Sequence, residues 1–197
     1  MAVERLRAAL AAIDRVNAGD PNTLVVDGVE LPKEPTHARM MSDWLVRLDP
    51  GADEEQAIAA RAHHLRRWSV PRSSYPEGRS GYLRWRASLQ RQQAAEVADL
   101  LAPLGYDEGE VGRVQDIIQK RGLGTDPAVQ THEDALCLVF LTTQLDALAA
   151  EVGDTRIVNV LTRTLAKMSA RGRAVALDLP LSDHSARLLR LALDQSG

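Results

Sequence analysis

Apolar residues recur along most of this chain at intervals of three and four, the spacing that gives a helix one buried face. The alternation expected of strands appears only weakly, from Thr23 to Leu31. The pattern predicts an all-α fold, a helical bundle forming one domain over residues 1–197, with 1–20 as an outer N-terminal helix and 178–197 as an appended C-terminal one. A first helix spans Val3 to Val16 and stops before Gly19-Asp20-Pro21. Asp27-Gly28 between short apolar pairs fits a small hairpin or a loop equally well. A second helix runs from Pro35 or Thr36 to about Leu48. A third starts from an Asp53 cap and continues through Ile58, Ala62 and Leu65 to about Trp68.

Two prolines and a glycine make Ser69–Ser80 a long irregular loop, the kind of segment that often carries function. Helices are then predicted from Gly81 to about Leu104 and from Asp107 to about Arg121. After a fresh helix start at Asp126-Pro127, the stretch from Glu133 to about Ala150 is apolar almost all round, as in a buried helix. Helices near Asp154–Met168, Gly172–Leu177 and Ser182–Asp194 follow.

A composition of 45% hydrophobic and 26% charged residues is that of a globular chain, which excludes disorder. A formal charge of -3 argues against a basic nucleic-acid coat or a polybasic membrane binder, so nucleic acid is a possible but not a favoured partner. Charges throughout the first twenty residues interrupt any signal core, and the longest uncharged apolar stretch, Ala135 to Leu145, is too short to span a bilayer. A single cysteine, Cys137, lies in that stretch. The expectation is a cytoplasmic protein with no membrane partner.

Charge is distributed unevenly. Between Arg61 and Arg91 stand eight arginines against one acid, Glu77, a local charge of +7. Guanidinium forks match phosphate and carboxylate oxygens, so Arg67, Arg72, Arg79 and Arg86, with Tyr75 and Tyr82 beside them, are candidate binding residues for an anionic small molecule. The bland alternative is solvated helix faces and ion pairs. His64, Arg67 and Trp68 would share one face of the third helix, although a helical histidine is commonly just packed or capped. Glu133 and Asp134 open the most apolar helix. Thr131 to Asp134 fits a capping box with Thr131 as N-cap; alternatively, Asp134 joins His37 and His63 or His64 around a divalent metal. In that second reading Glu133 and His64 are the candidate catalytic groups.

The segments Ala59–Trp68, Pro71–Pro76, Arg79–Arg86 and Glu133–Leu141 together resemble the domain-of-unknown-function family numbered 4202, over almost the whole chain. Lys167-Met168-Ser169-Ala170-Arg171 echoes the KMSKS loop of class I tRNA synthetases, but the alternating strands and helices of their nucleotide-binding domain are missing. More distantly, the order of elements looks like the HD-domain phosphohydrolase superfamily. That resemblance implies an HD-like helical fold in which His37, His63 and Asp134 bind a metal, with His64 standing where the family's paired aspartate belongs and Gln93 where an accessory histidine might stand. Two functions are therefore expected as alternatives: a metal-dependent phosphohydrolase of a small phosphorylated compound or nucleotide, and a non-catalytic anion- or nucleotide-binding module on a degenerate HD-like scaffold.

Overall fold

A computed structural model describes residues 2–26 and 28–195. The described residues form ten α-helices and one two-stranded hairpin, so the chain is all-α apart from that hairpin. It divides into two compact units, Met1–Gly122 and Leu123–Gly197.

The first unit contains α1 (Ala2–Asn17), β1 (Thr23–Val26), β2 (Val29–Pro32), α2 (Lys33–Leu48), α3 (Glu54–Ala62), α4 (Gly78–Leu101) and α5 (Glu108–Ile118). Short α3 lies against α1, α2 and α5. Its buried face is Ile58, Ala59, Ala60 and Ala62, and small side chains let three neighbours approach one short helix. Charged pairs fasten it at both ends. Arg61 forks onto Asp14 of α1 at 2.7 and 2.8 Å, and Arg5 of α1 bonds both Glu54 and Glu110 while lying 4.1 Å over the Tyr106 ring. Asp53 and Asp107 close capping boxes with Gln56 and Glu110, which defines the starts of α3 and α5.

The alternating segment is an antiparallel hairpin with Val26 opposite Val29. Of its expected turn pair, Asp27 lies outside the described residues, and Gly28 has φ +78°, the left-handed conformation that a two-residue hairpin turn requires. α3 is shorter than its pattern predicts. After Ala62 the backbone tightens into i→i+3 hydrogen bonds, Leu65 to Ala62 and Arg67 to His64, and Arg66 adopts φ 49°, so the helix ends although buried Leu65 keeps the apolar spacing. His64, Arg67 and Trp68 therefore do not share a helical face. The expected loop is also shorter and more ordered: Arg67–Ser69 and Arg72–Ser74 are 3-10 turns, and α4 begins at Gly78.

The second unit contains α6 (Pro127–Thr143), α7 (Leu145–Val152), α8 (Asp154–Leu165), α9 (Ala170–Leu177) and α10 (Asp183–Asp194). α6 is capped by Asp126, whose carboxylate accepts from the Ala128 and Val129 amides, so Thr131 is an interior residue bonding back to Pro127 and not the N-cap. The single helix expected from Glu133 to Ala150 is two, turned by 65° at Gln144. Thr142 and Thr143 direct their hydroxyls to the carbonyls of Leu138 and Val139, the back-bonding that bends helices. Among the described residues no single helix is long and apolar enough to cross a membrane; only the bent pair α6–α7 has the required length and composition. α10 packs on α8 through buried Leu188, Leu189 and Ala192.

The stretch before α4 is built tightly. Trp85 donates to the Val70 carbonyl at 2.9 Å, and the Arg72 guanidinium bonds the carbonyls of Tyr75 and Pro76 at 2.9 Å each. A Cβ at Gly81 would stand 1.8 Å from the Pro76 oxygen. Gly81→Ala is expected to cost about 3 kcal/mol, because backbone must move to admit the methyl group. Urea denaturation checks this, with Gly112→Ala, where a Cβ meets nothing, as the control within about 1 kcal/mol of the parent.

Candidate metal centre

The first turn of α2 contributes two of the three groups that converge. Pro32, at the N-cap, provides no side-chain cap, and Asp20 does that work from a distance by accepting from the Glu34 amide at 3.0 Å. The helix thus starts at Lys33, two or three residues earlier than expected, and Glu34 and His37 fall three apart on one face. His64, in the turn after α3, comes in beside them. Its Nδ1 lies 3.0 Å from Glu34 Oε2 and 3.3 Å from His37 Nδ1, and the His37 Nδ1 to Glu34 Oε2 distance is 3.5 Å.

Glu34 and His37 are each 2% exposed, while the His64 side chain retains 17% and leads to the surface. Burial pushes the Glu34 carboxyl upward, but hydrogen bonds from His37 and His64 outweigh it and hold the group well below the usual carboxylate range. Burial lowers His64 to about 4; the bond to Glu34 opposes this, and the Arg67 charge and His37 add to the lowering. His64 is accordingly a neutral imidazole at pH 7, the form that ligates metals. His37 Nε2 is buried without a hydrogen-bond partner, an unusual state for an imidazole whose role is packing alone.

These three residues are the one group among the described residues placed to hold a metal ion, with all donor atoms within 4.8 Å of one another. Ligands about 2.0–2.1 Å from a tetrahedral ion are roughly 3.3–3.4 Å apart, and the observed separations bracket that edge. The donor set, two imidazoles and a carboxylate, suits a zinc-class transition metal better than magnesium or calcium.

Of the residues singled out from sequence, His37 and His64 are brought together. His63 is buried, its ring 4.6 Å from that of His64, but it offers no donor to the cluster. Asp134 belongs to the second unit, where its carboxylate accepts from the Ser169 amide at 2.8 Å, the Ser169 hydroxyl at 2.5 Å and Gln130 at 3.1 Å. The α9 backbone closes on it so tightly that a Cβ at Gly172 would lie 2.6 Å from its Cγ. Asp134 is thus an anchor for the start of α9 and does not reach back to cap its own helix. The lysine-to-arginine echo of a synthetase loop is this same capped turn, with Ser169 as N-cap of α9. Glu133, 1% exposed, pairs with Lys167 at 3.1 Å.

The candidate anion-binding residues separate into groups. Arg72 is committed to loop carbonyls, Tyr75 is half-buried with its own carbonyl bound by Arg72, and Arg79 is exposed on the first turn of α4. Arg67, half-buried, lies 4.5 Å over the Trp85 ring, and Arg86 lies 5.8 Å over Tyr82. A separate groove of about 490 Å³ is lined by Ala12, Val16, Trp68 and Leu100, and its cations are Arg15 and Arg66. Glu34 was not legible as a site residue because the predicted helix began after it; the Glu-x-x-His spacing was the available signal.

The depressed His64 value sets a pH dependence. Between about 6.5 and 4 the unfolded chain binds a proton that folded His64 refuses, so stability is full above 6.5 and falls with pH through that window. Glu34, held low, adds a loss in the same direction below about 4.5. In chelator-stripped protein His64 should contribute a slope of up to ~1.4 kcal/mol per pH unit, and urea denaturation at stepped pH should find this limb flattened in His64→Gln.

No curated protein and no solved structure is similar enough to this chain to count as a match. A family model described as a domain of unknown function, DUF4202, matches residues 7–189, nearly the full length. The chain belongs to that family.

Proposed function

We propose that this protein is a metal-dependent phosphohydrolase acting on a small phosphorylated compound or nucleotide, with Glu34, His37 and His64 as the metal ligands. The observation that carries the reading is the convergence of three buried or half-buried donors with the mutual spacing of a metal's coordination edges. A divalent ion held there would supply Lewis acidity toward a phosphoryl oxygen and a hydroxide nucleophile at neutral pH. Glu34 stays ionised and the imidazole of His64 neutral, so ligation through His64 Nδ1 would need only the tautomer that carries the ring proton on Nε2. The His64 side chain retains 17% exposure, so the cluster has one edge toward solvent.

The HD-like resemblance would recruit Asp134 and His63. In this reading both are left out, since Asp134 already has three partners of its own. Glu133 also drops out as a base because it is committed to Lys167.

Elemental analysis of purified protein is expected to find about one transition-metal ion per chain, reduced at least tenfold in Glu34→Gln and in His64→Gln. Metal-loaded protein should release phosphate from at least one member of a panel of nucleotides and sugar phosphates, and lose that activity with either substitution. Full metal content in both variants would overturn the ligand assignment. Metal uptake without turnover of any panel member would overturn the hydrolase and favour the non-catalytic anion-binding module.

A further inference from the structure

The groove of about 490 Å³ lies wholly in the first unit and includes none of the three metal ligands. Ala12, Arg15, Val16 and Gly19 recur at three and four along α1 and just past its end, so one face of that helix makes one wall. Leu100 of α4 and the turn after α3, with Arg66 and Trp68, make the rest. A cleft of this size falls within the range of roughly 300–1,000 Å³ typical of small-molecule sites.

The polar groups on the groove are of one kind. Arg15 makes no hydrogen bond or ion pair among the described residues. Arg66 approaches only Glu96, at 3.7 Å through Nε, which is too long for a hydrogen bond and leaves its terminal amino groups unspent. The Trp68 indole N–H also donates to nothing among the described residues, whereas that of Trp85 is spent on the Val70 carbonyl. The Ser69 hydroxyl is already used, donating to the Arg66 carbonyl and accepting from Gln92. Every unspent polar side chain on the groove is therefore a donor, and no carboxylate lines it. Glu96 and Asp99 line a smaller adjoining recess instead.

Arg66 holds its place in an uncommon conformation. Its φ of 49° is left-handed, which a residue with a side chain adopts only where the surroundings impose it. Here the amide and hydroxyl of Ser69 both bind its carbonyl, at 2.9 and 2.8 Å. A guanidinium and an indole two residues apart are thereby fixed on the groove before any ligand arrives.

We propose that this groove binds a small organic monoanion, a carboxylate on an apolar ring-bearing body, with the body against Val16, Trp68 and Leu100 and the carboxylate taken by Arg15 and Arg66. Charge selects the head group. Glu96 offsets one of the two guanidiniums, so a single negative charge balances the remainder and a phosphate dianion exceeds it. The site stands apart from the hydrolase reading, since it uses no metal ligand, and neither outcome below bears on metal content.

The test titrates the full chain with the fluorescent monoanion anilinonaphthalene sulfonate and then competes it with naphthoate, with uncharged naphthalenemethanol and with inorganic phosphate. Saturable binding of one probe per chain is expected, displaced by naphthoate and not by equal concentrations of the other two. Arg15→Gln and Arg66→Gln should each weaken the probe about tenfold, the loss of one charge-assisted hydrogen bond. Arg91→Gln, exposed elsewhere on α4, leaves it unchanged. A Cβ at Gly19 would stand 3.8 Å from Trp68 Cζ2, so Gly19→Leu should fill the groove and abolish binding. Circular dichroism confirms that each variant is folded. Absence of saturable binding in the parent, equal binding in the parent and both arginine variants, or undiminished binding in Gly19→Leu would overturn the inference. Displacement by naphthalenemethanol or phosphate as strong as by naphthoate would overturn the ligand class.

Discussion

A carboxylate that is 2% exposed must be compensated, and in the first unit Glu34 is compensated by two imidazoles within 3.5 Å. Much else in that unit serves this requirement. Asp20 caps the helix start that carries Glu34, the early end of α3 frees His64 from a helical path, and left-handed Arg66 interrupts any continuation of that helix. Removing either imidazole would leave a buried charge short of a partner. The same compensation is what makes the trio chemically competent: it keeps the acid ionised and the His64 imidazole neutral at pH 7.

Arginine serves three physical ends in this unit, and they are distinguished by what the guanidinium touches. Arg5 and Arg61 join helices through paired carboxylates, and Arg72 ties a loop through its carbonyls. Arg67 and Arg86 contact aromatic faces and leave their donors idle. A planar cation can do all three because its faces are weakly hydrated while its edge carries the donors.

In the second unit acids tie helices together, buried Glu133 and Asp134 and exposed Asp146 among them. Asp134 receives the α9 amide and hydroxyl of Ser169, Glu133 pairs with Lys167, and Asp146 accepts from Ser182 and Ser185 at the start of α10. Each bond joins the start of a later helix, or the turn before it, to a preceding one. Polar bonds of this kind specify which helix faces which, where apolar contact alone would tolerate a slide.

Helices and their principal caps were legible because they rest on interactions between residues one to four apart: Asp53, Asp107 and Ser182 read as helix starts and are, whereas the segment around Gly28 read equally as hairpin or loop. The arginine excess and the candidacy of His37 and His64 were equally plain. Local pattern misled where tertiary contact took over. Buried Leu65 continued a helical period across a segment that is not helix, and Thr131 imitated a cap inside a helix already started at Asp126. Sequence by itself determined the helical class and the kinds of side chain available, since periodicity and capping are local energies. Only the tertiary structure decided that Glu34 meets His64 thirty residues away, that Asp134 is consumed by Ser169, and that Arg67 is left with idle donors. Those outcomes depend on which buried polar groups find one another when helices pack, and no spacing along the chain encodes that choice.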